Sequence, residues 1–171
     1  MKALVISDIH GALEVFMDII TKEKYDKILF LGDICDYSYS PNNELLINKL
    51  NSMSKILVGV CGNCDRNIKS KLSFELPILN QVIINNLKIT LTHGDLYNEN
   101  TLPDNYMDIF LRGHSHVSKM QDKDNIIFLN PGSISKPRGN SVKSYMLITE
   151  ENIYLKDIDG NIIDKMNIKR S

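Results

Sequence analysis

The sequence has no tryptophan, only three cysteines and no long hydrophobic run. An odd number of cysteines does not suit a disulfide framework, so the sequence favours a reducing compartment. The apolar runs are far shorter than the roughly 20 residues that cross a bilayer. Met1 and Lys2 lead directly into a predicted strand, without a signal-peptide pattern. We therefore expect a soluble cytoplasmic protein with no membrane partner.

An excess of charge of one sign is also missing. Lysine and arginine number 20 and aspartate and glutamate 21, which gives a formal net charge of −1. This balance provides no general attraction for nucleic acid, so any phosphate binding must come from a local site. A chain of 171 residues can bury a substantial core. Since no repeat or linker divides it, we predict a single domain over residues 1–171.

The chain opens with an apolar run that ends on two side chains of metal-binding type, Asp8 and His10. Residues two apart in a strand point to the same face, so both side chains can reach one point. Gly11 then allows a sharp turn into a helix predicted over residues 12–24. Taken alone, Asp-x-His is more typical of an ordinary strand-to-helix turn with a capping carboxylate than of a metal site.

Two further apolar runs repeat this arrangement. Residues 26–31 end at Asp33, residues 55–60 end at Asn63, and a helix is predicted between them over residues 43–53. Three β-α units in succession indicate a parallel sheet with right-handed crossovers.

The second half of the chain has shorter apolar runs separated by turns. It predicts a hairpin over residues 78–92, strands over 108–112 and 125–129, and two or three strands over 144–168. The whole pattern favours an α/β domain in which two packed sheets are flanked by helices.

All four histidines lie just beyond an apolar strand, each beside a glycine or two residues from another histidine. Because strand exits gather on one edge of a sheet, we expect them to meet other polar groups there. The candidate metal ligands are Asp8, His10, Asp33, Asn63, His93, His114 and His116. Imidazole, carboxylate and carboxamide groups suit a borderline or hard divalent ion, and this set is too large for one ion. Two ions bridged by a carboxylate is the economical interpretation.

Five motifs follow the order found in the calcineurin-like metallophosphoesterases. They are Asp8-Ile9-His10, Gly32-Asp33, Gly62-Asn63-Cys64-Asp65, His93-Gly94 and Gly113-His114-Ser115-His116. The chain resembles this superfamily over residues 1–149, and its lack of inserts and its Asn130-Pro131-Gly132-Ser133 segment are most similar to the small YfcE-type phosphodiesterases. The resemblance implies an αββα sandwich of two mixed sheets. It also implies one metal held by Asp8, His10 and His116 and another by Asn63, His93 and His114, with Asp33 bridging.

The implied activity is hydrolysis of a small phosphodiester by in-line attack of a hydroxide that bridges two divalent metals. Manganese is the favoured ion, with nickel, zinc, iron or magnesium as alternatives. A homodimer or homotetramer would resemble relatives. Two other functions stay open: a phosphomonoesterase of the same superfamily, and a catalytically weak or inactive scaffold that mediates protein–protein interaction, as in the retromer subunit that resembles these enzymes.

Two residues are candidate catalytic groups, Cys64 and Asp65. In many family members a histidine thought to protonate the leaving group follows the asparagine, and Cys64 takes that place here. A thiol with a pKa near 8.5 is a poor match for this role, so we expect weak activity, biased towards leaving groups that need no proton. Asp65 either orients a neighbour or caps the following helix. Cys61 and Cys64 form a Cys-x-x-Cys pair, but without a second pair nearby a redox or zinc motif is the weaker interpretation.

Charged loop residues complete the prediction. Asp36 is expected to be an exposed loop residue rather than a ligand. Arg66, Lys136 and Arg138 could touch substrate phosphate, although solvated surface positions are more common for such residues.

Overall fold

The computed structural model describes residues 1–38 and 40–168. Within these residues the chain forms two mixed sheets and two α-helices. The elements are β1 (Ala3–Ile6), α1 (Leu13–Lys22), β2 (Lys27–Phe30), α2 (Pro41–Ser52), β3 (Leu57–Gly59), β4 (Leu79–Ile84), β5 (Leu87–Thr92), β6 (Ile109–Leu111), β7 (Lys119–Lys123), β8 (Ile126–Asn130), β9 (Ser144–Ile148), β10 (Asn152–Asp157) and β11 (Ile162–Asn167). The predicted single domain extends to residues 169–171, which lie outside the described residues.

The first sheet has the strand order β11-β10-β9-β1-β2-β3. Strand β1 runs parallel to β2 and antiparallel to β9, and it is buried on both faces. Its side chains alternate between two cores, as the period of two in a strand requires. Leu4 and Ile6 pack towards α1 and α2, whereas Ala3 and Val5 pack towards the second sheet. This double burial explains why β1 is apolar throughout.

The second sheet has the order β4-β5-β6-β8-β7, with β5, β6 and β8 parallel. The predicted hairpin joins β4 to β5 through Asn85 and Asn86, which have φ values of 52° and 65°. Two consecutive residues with positive φ form the tight turn that suits a two-residue hairpin loop. The two sheets face each other across the second core. The predicted α/β sandwich of two mixed sheets is therefore confirmed.

Three local differences from the prediction have simple causes. Helix α2 begins at Pro41, two residues early, because proline is favoured in the first turn of a helix. Residues after β3 form a short 3₁₀ turn, Lys69–Lys71, so the third β-α unit lacks its α-helix. Strand β7 was missed because its sequence, KMQDK, is polar and lies largely exposed at a sheet edge.

The helices lie on one side of the sandwich. Both α1 and α2 bury their apolar residues against the first sheet, through Phe16, Ile19, Leu46 and Leu50 among others. The outer face of the second sheet carries Phe110 and Phe128, which pack with Met107 and the partly buried Tyr97 from the preceding loop. None of the described helices is both long enough and apolar enough to span a bilayer.

Candidate metal centre

The candidate ligands follow the carboxyl ends of five strands drawn from both sheets, β1, β2, β3, β5 and β6. Five of them have left-handed backbone, a region in which aspartate and histidine occur more often than most residues. They are Asp8 (φ 54°), His10 (47°), Asp33 (60°), His114 (66°) and His116 (59°). The chain therefore turns sharply at the exits of β1, β2 and β6. Such strained positions concentrate at functional sites.

Asp8, His10 and His116 form a first cluster. The Nε2 atoms of His10 and His116 are 3.3 Å apart, and Oδ1 of Asp8 lies 3.1 Å from Nε2 of His116 and 3.8 Å from Nε2 of His10. Asp8 is fully buried, His116 is nearly so, and His10 is intermediate. Three potential ligand atoms thus converge on one point.

The outer nitrogen of each histidine in this cluster lies beside an oxygen atom, although among the described residues only that of His116 makes a hydrogen bond. Nδ1 of His116 donates to the carbonyl of Lys136 at 2.6 Å, and Nδ1 of His10 lies 2.7 Å from Oδ1 of Asp36. In neutral rings a proton on Nδ1 leaves a lone pair on Nε2. The two Nε2 lone pairs then face each other and Oδ1 of Asp8, which is buried and has no hydrogen-bond partner among the described residues. Acceptors facing acceptors need a cation between them, so this cluster fits a divalent ion.

Asn63, His93 and His114 form a second cluster. Nε2 of His93 lies 3.0 Å from Oδ1 of Asn63 and 3.2 Å from Nδ1 of His114. Nδ1 of His93 donates to the carbonyl of Leu31 at 2.7 Å, which again directs a lone pair at Nε2 into the cluster. Tyr37 accepts a hydrogen bond from Nδ2 of Asn63 at 2.7 Å and so turns the amide oxygen inward. This cluster has the same chemistry as the first.

Asp33 lies between the two clusters. Its Oδ2 is 3.4 Å from Nε2 of His93 and 3.7 Å from Nε2 of His10, so one oxygen reaches a histidine of each cluster. Its Oδ1 accepts the backbone N–H of Cys64 at 2.9 Å, which fixes the carboxylate orientation. This position fits a carboxylate that bridges two ions.

The charges of the centre are strongly coupled. Burial raises the pKa of Asp8, but the His10 and His116 rings beside its carboxylate outweigh it and hold that pKa well below its usual value. Burial lowers the pKa of His93, but the Asp33 and Asp8 carboxylates outweigh it and raise that pKa to about 9. Without a metal ion, protons on the histidines are what balances the carboxylates. A divalent ion would compete with those protons, so metal binding should strengthen as pH rises.

Comparison with known proteins identifies the family of this chain. The family model described as the calcineurin-like phosphoesterase superfamily domain matches residues 1–152. The chain belongs to the calcineurin-like phosphoesterase superfamily.

Its similarity to individual superfamily members spans nearly the whole length. Phosphodiesterase YfcE of Escherichia coli strain K12 is 30% identical over 166 residues, which cover 88% of this chain and 89% of that protein. The solved structure of the E. coli phosphoesterase YfcE superposes with a TM-score of 0.87 at 26% identity, covering 99% of this chain and all of the other. Vps29 from Entamoeba histolytica, as a single mutant, has the same fold, with a TM-score of 0.71 at 24% identity and coverage of 98% and 99%.

In this superfamily member the Asp65 side chain faces backbone N–H groups rather than the candidate metal ligands. Oδ2 accepts the N–H groups of Asp33 and Gly62, and Oδ1 accepts that of Ile34, all at 2.8 Å. Burial raises the pKa of Asp65 to about 6, although these three donors favour the charged form. Asp65 therefore ties together the loops that carry Asp33 and Gly62, and its contribution to catalysis stays a prediction.

Cys64 lies at the centre itself. Its Sγ belongs to a group with ligand atoms of His10 and Asp33 that lie within 4.8 Å of one another. Burial and the Asp33 charge raise the pKa of the thiol to about 12. At neutral pH Cys64 is thus a protonated thiol and a weak acid.

Three supporting residues escaped the sequence interpretation. Asp36 lies beside His10, Tyr37 binds Asn63, and the Ser133 hydroxyl donates to the Asp8 carbonyl at 2.7 Å. The sequence predicts Asp36 as an exposed loop residue, because only its three-residue spacing from Asp33 hints at the site.

The surface cations have separate surroundings. Lys136 pairs with Asp36 rather than being free in solvent. Arg66 is exposed and lines a cavity of about 210 Å³ beside Gly62 and Leu96.

Proposed function

We propose that this chain is a metal-dependent phosphodiesterase with two divalent ions per chain. The observation that carries the proposal is the pair of clusters that share Asp33, in each of which ligand atoms face one another across a few ångströms. Asp8, His10 and His116 would hold one ion, and Asn63, His93 and His114 the other. Two ions bound in this way supply a nucleophilic water of lowered pKa and compensate charge on the phosphoryl oxygens.

The chain's own residues contribute rigidity. Buried carboxylates at Asp8 and Asp33 are locked by hydrogen bonds from Ser7 and from the Cys64 backbone. Ligands held in this way need little rearrangement when charge develops on a substrate, which is the main source of electrostatic catalysis. No Ser-His-Asp arrangement is needed for this chemistry.

The proposed substrate is a small or accessible phosphodiester. Tyr37, which binds Asn63, is 71% exposed, and two further apolar side chains near candidate ligands in the sequence, Leu96 and Val117, are 53% and 40% exposed. The described residues include no inserted cap. An open site of this kind admits diesters of varied shape. YfcE of E. coli is named a phosphodiesterase, and the similarity supports the same reaction here.

Manganese is the proposed ion, with nickel, zinc, iron or magnesium as alternatives. The predicted ligand set is imidazole, carboxylate and amide oxygen, and such mixed oxygen and nitrogen sites accept many divalent ions.

The test combines metal content with hydrolysis. Elemental analysis should find about two ions per chain. Hydrolysis of bis-p-nitrophenyl phosphate should stop after chelation and return with manganese, nickel, zinc or magnesium. Asp8→Asn should lower the metal content to about one ion per chain and abolish hydrolysis. Asp18→Asn, which changes an exposed carboxylate on α1, should alter neither. Metal binding without hydrolysis of any diester would refute the proposal, and hydrolysis of monoesters alone would favour a phosphomonoesterase.

The alternative scaffold function rests on shared fold alone. The likeness to Vps29 concerns architecture, and the full set of histidines at the centre favours catalysis. A homodimer or homotetramer remains a prediction, supported by the outer edge strand β11 with exposed Ile162 and Ile163. Analytical ultracentrifugation tests the assembly, and cell fractionation tests the predicted cytoplasmic location.

A further inference from the structure

A surface ion pair joins two loops that are 100 residues apart. Nζ of Lys136 lies 2.8 and 2.7 Å from the two carboxylate oxygens of Asp36. Both side chains are about half exposed, and ion pairs of that kind usually contribute little to stability. The two residues differ from ordinary surface charges in what else each of them touches.

Each partner contacts one histidine of the first cluster. Oδ1 of Asp36 lies 2.7 Å from Nδ1 of His10, and the main-chain carbonyl of Lys136 accepts Nδ1–H of His116 at 2.6 Å. The ion pair thus closes a ring that runs from His10 through Asp36 and Lys136 to His116, whose Nε2 lies 3.3 Å from that of His10.

Asp8, the third residue of the cluster, is hydrogen-bonded to the segment that contains Lys136. The Ser133 hydroxyl donates to the carbonyl of Asp8 at 2.7 Å and accepts the backbone N–H of Lys136 at 2.9 Å. The turn that presents the Lys136 carbonyl is therefore anchored on Asp8. All three ligand residues of this cluster depend on one turn and on one carboxylate.

We infer that the Asp36–Lys136 ion pair is a positioning device for the first metal site: it holds His10 and His116 at the separation and ring orientation that one ion requires. The Lys136 ammonium offsets the negative charge that Asp36 places beside His10. The inference rests on the proposed function, because it requires His10 and His116 to bind a metal. The second cluster has its own supports, Leu31 and Tyr37, and should not respond.

The experiment titrates metal-free protein with Mn²⁺ alone by isothermal calorimetry. Asp36→Asn removes the carboxylate charge at constant size, and Lys136→Met removes the ammonium but keeps the carbonyl that binds His116. Loss of such an outer partner typically weakens metal binding by about 10- to 100-fold. We expect that loss in one of two binding events for each variant, with the other event unchanged. Lys136→Arg, which keeps the pair, should bind like the wild type.

Coupling between the two residues gives a sharper result. If the pair acts as a unit, the double variant should bind Mn²⁺ no more weakly than Asp36→Asn does. The fold-losses in affinity of the two single variants should therefore not multiply in the double variant. Lys143→Met, an exposed lysine with the same charge change, is the matched control. Melting curves in chelator should be alike for all variants, which separates positioning from folding.

Three results would overturn the inference: wild-type affinity in Lys136→Met, multiplicative effects in the double variant, or equal weakening of both binding events. A wild-type protein that binds no Mn²⁺, Zn²⁺ or Ni²⁺ would instead refute the proposed function. The two failures are therefore distinguishable.

Discussion

Replacement of Gly62 by alanine should displace Asp33, the carboxylate that we propose bridges the two ions. A Cβ atom at position 62 would lie 2.1 Å from Oδ1 and 2.4 Å from the backbone nitrogen of Asp33. Gly62 does not have a positive φ, so lack of space rather than backbone conformation excludes a side chain. The backbone nitrogen of Asp33 cannot easily move away from the new Cβ atom. Its N–H donates to the Asp65 carboxylate, which also accepts the Gly62 N–H and so holds the two residues together.

The magnitude follows from the required movement. Opening the 2.4 Å contact to an ordinary separation of about 3.4 Å moves one loop by about 1 Å. Overpacking of this kind costs about 1–3 kcal/mol of unfolding free energy. In a domain of this size the melting temperature should fall by about 2–12 °C. A ligand displaced by about 1 Å should also reduce activity by about 100-fold.

Circular dichroism is the suitable assay of stability, because the chain lacks tryptophan. Gly59→Ala is the matched control: its Cβ would meet Cδ2 of Leu76 at 2.8 Å, the movable end of a side chain. This control should lose some stability yet keep its metal content, whereas Gly62→Ala should lose metal affinity even in protein that remains folded. If Gly62→Ala retained two ions at wild-type affinity and normal activity, a rigid contact between Gly62 and Asp33 would be ruled out.

Three further predictions concern the proton donor, pH and metal removal. Cys64→His, which introduces an imidazole with a pKa near 6.5, should raise turnover on unactivated diesters; no gain with metal content intact would count against a proton-donor role at position 64. Burial raises the pKa of Glu23, but Lys156 and the Tyr145 hydroxyl, 2.6 Å away, outweigh it and lower that pKa. Its stabilising contribution should therefore be complete above the unfolded pKa of about 4.3 and lost as pH falls through the folded value. Urea titrations should show the difference between wild type and Glu23→Gln shrinking in acid, and a difference independent of pH would contradict this. Chelation should lower the melting temperature, since each ion at 100 times its dissociation constant contributes about 2.7 kcal/mol; equal melting temperatures with and without Mn²⁺ would refute it.

The grouping of the candidate ligands could be predicted from sequence because these residues mark strand exits. Apolar runs that end at Asp8 and Asp33 are local signals, and the parallel arrangement of their strands brings those ends together. The alternation of buried residues likewise predicts the two-sheet sandwich. A short stretch of sequence is sufficient to predict these features, because each depends on a few consecutive residues.

The support around the centre could not be predicted in the same way. Asp36 and Lys136 are 100 positions apart, and neither has a local pattern that indicates its partner. The direction of Asp65 depends on three N–H groups from two loops, which only the folded chain brings to one carboxylate. The polar strand β7 forms because β8 offers it an edge, and its own residues carry no strand signal.

The left-handed backbone at five ligand positions bears on how this fold can change over evolution. Each such position costs about 1–3 kcal/mol, a cost that metal binding can offset. A descendant that no longer needed catalysis could replace these histidines and aspartates by glycine or asparagine, which tolerate that backbone, and would become more stable without metal. Its two sheets would remain as they are. Substitutions that abolish metal binding in this architecture should therefore be retained readily during evolution, because they raise stability, and they should seldom be reversed.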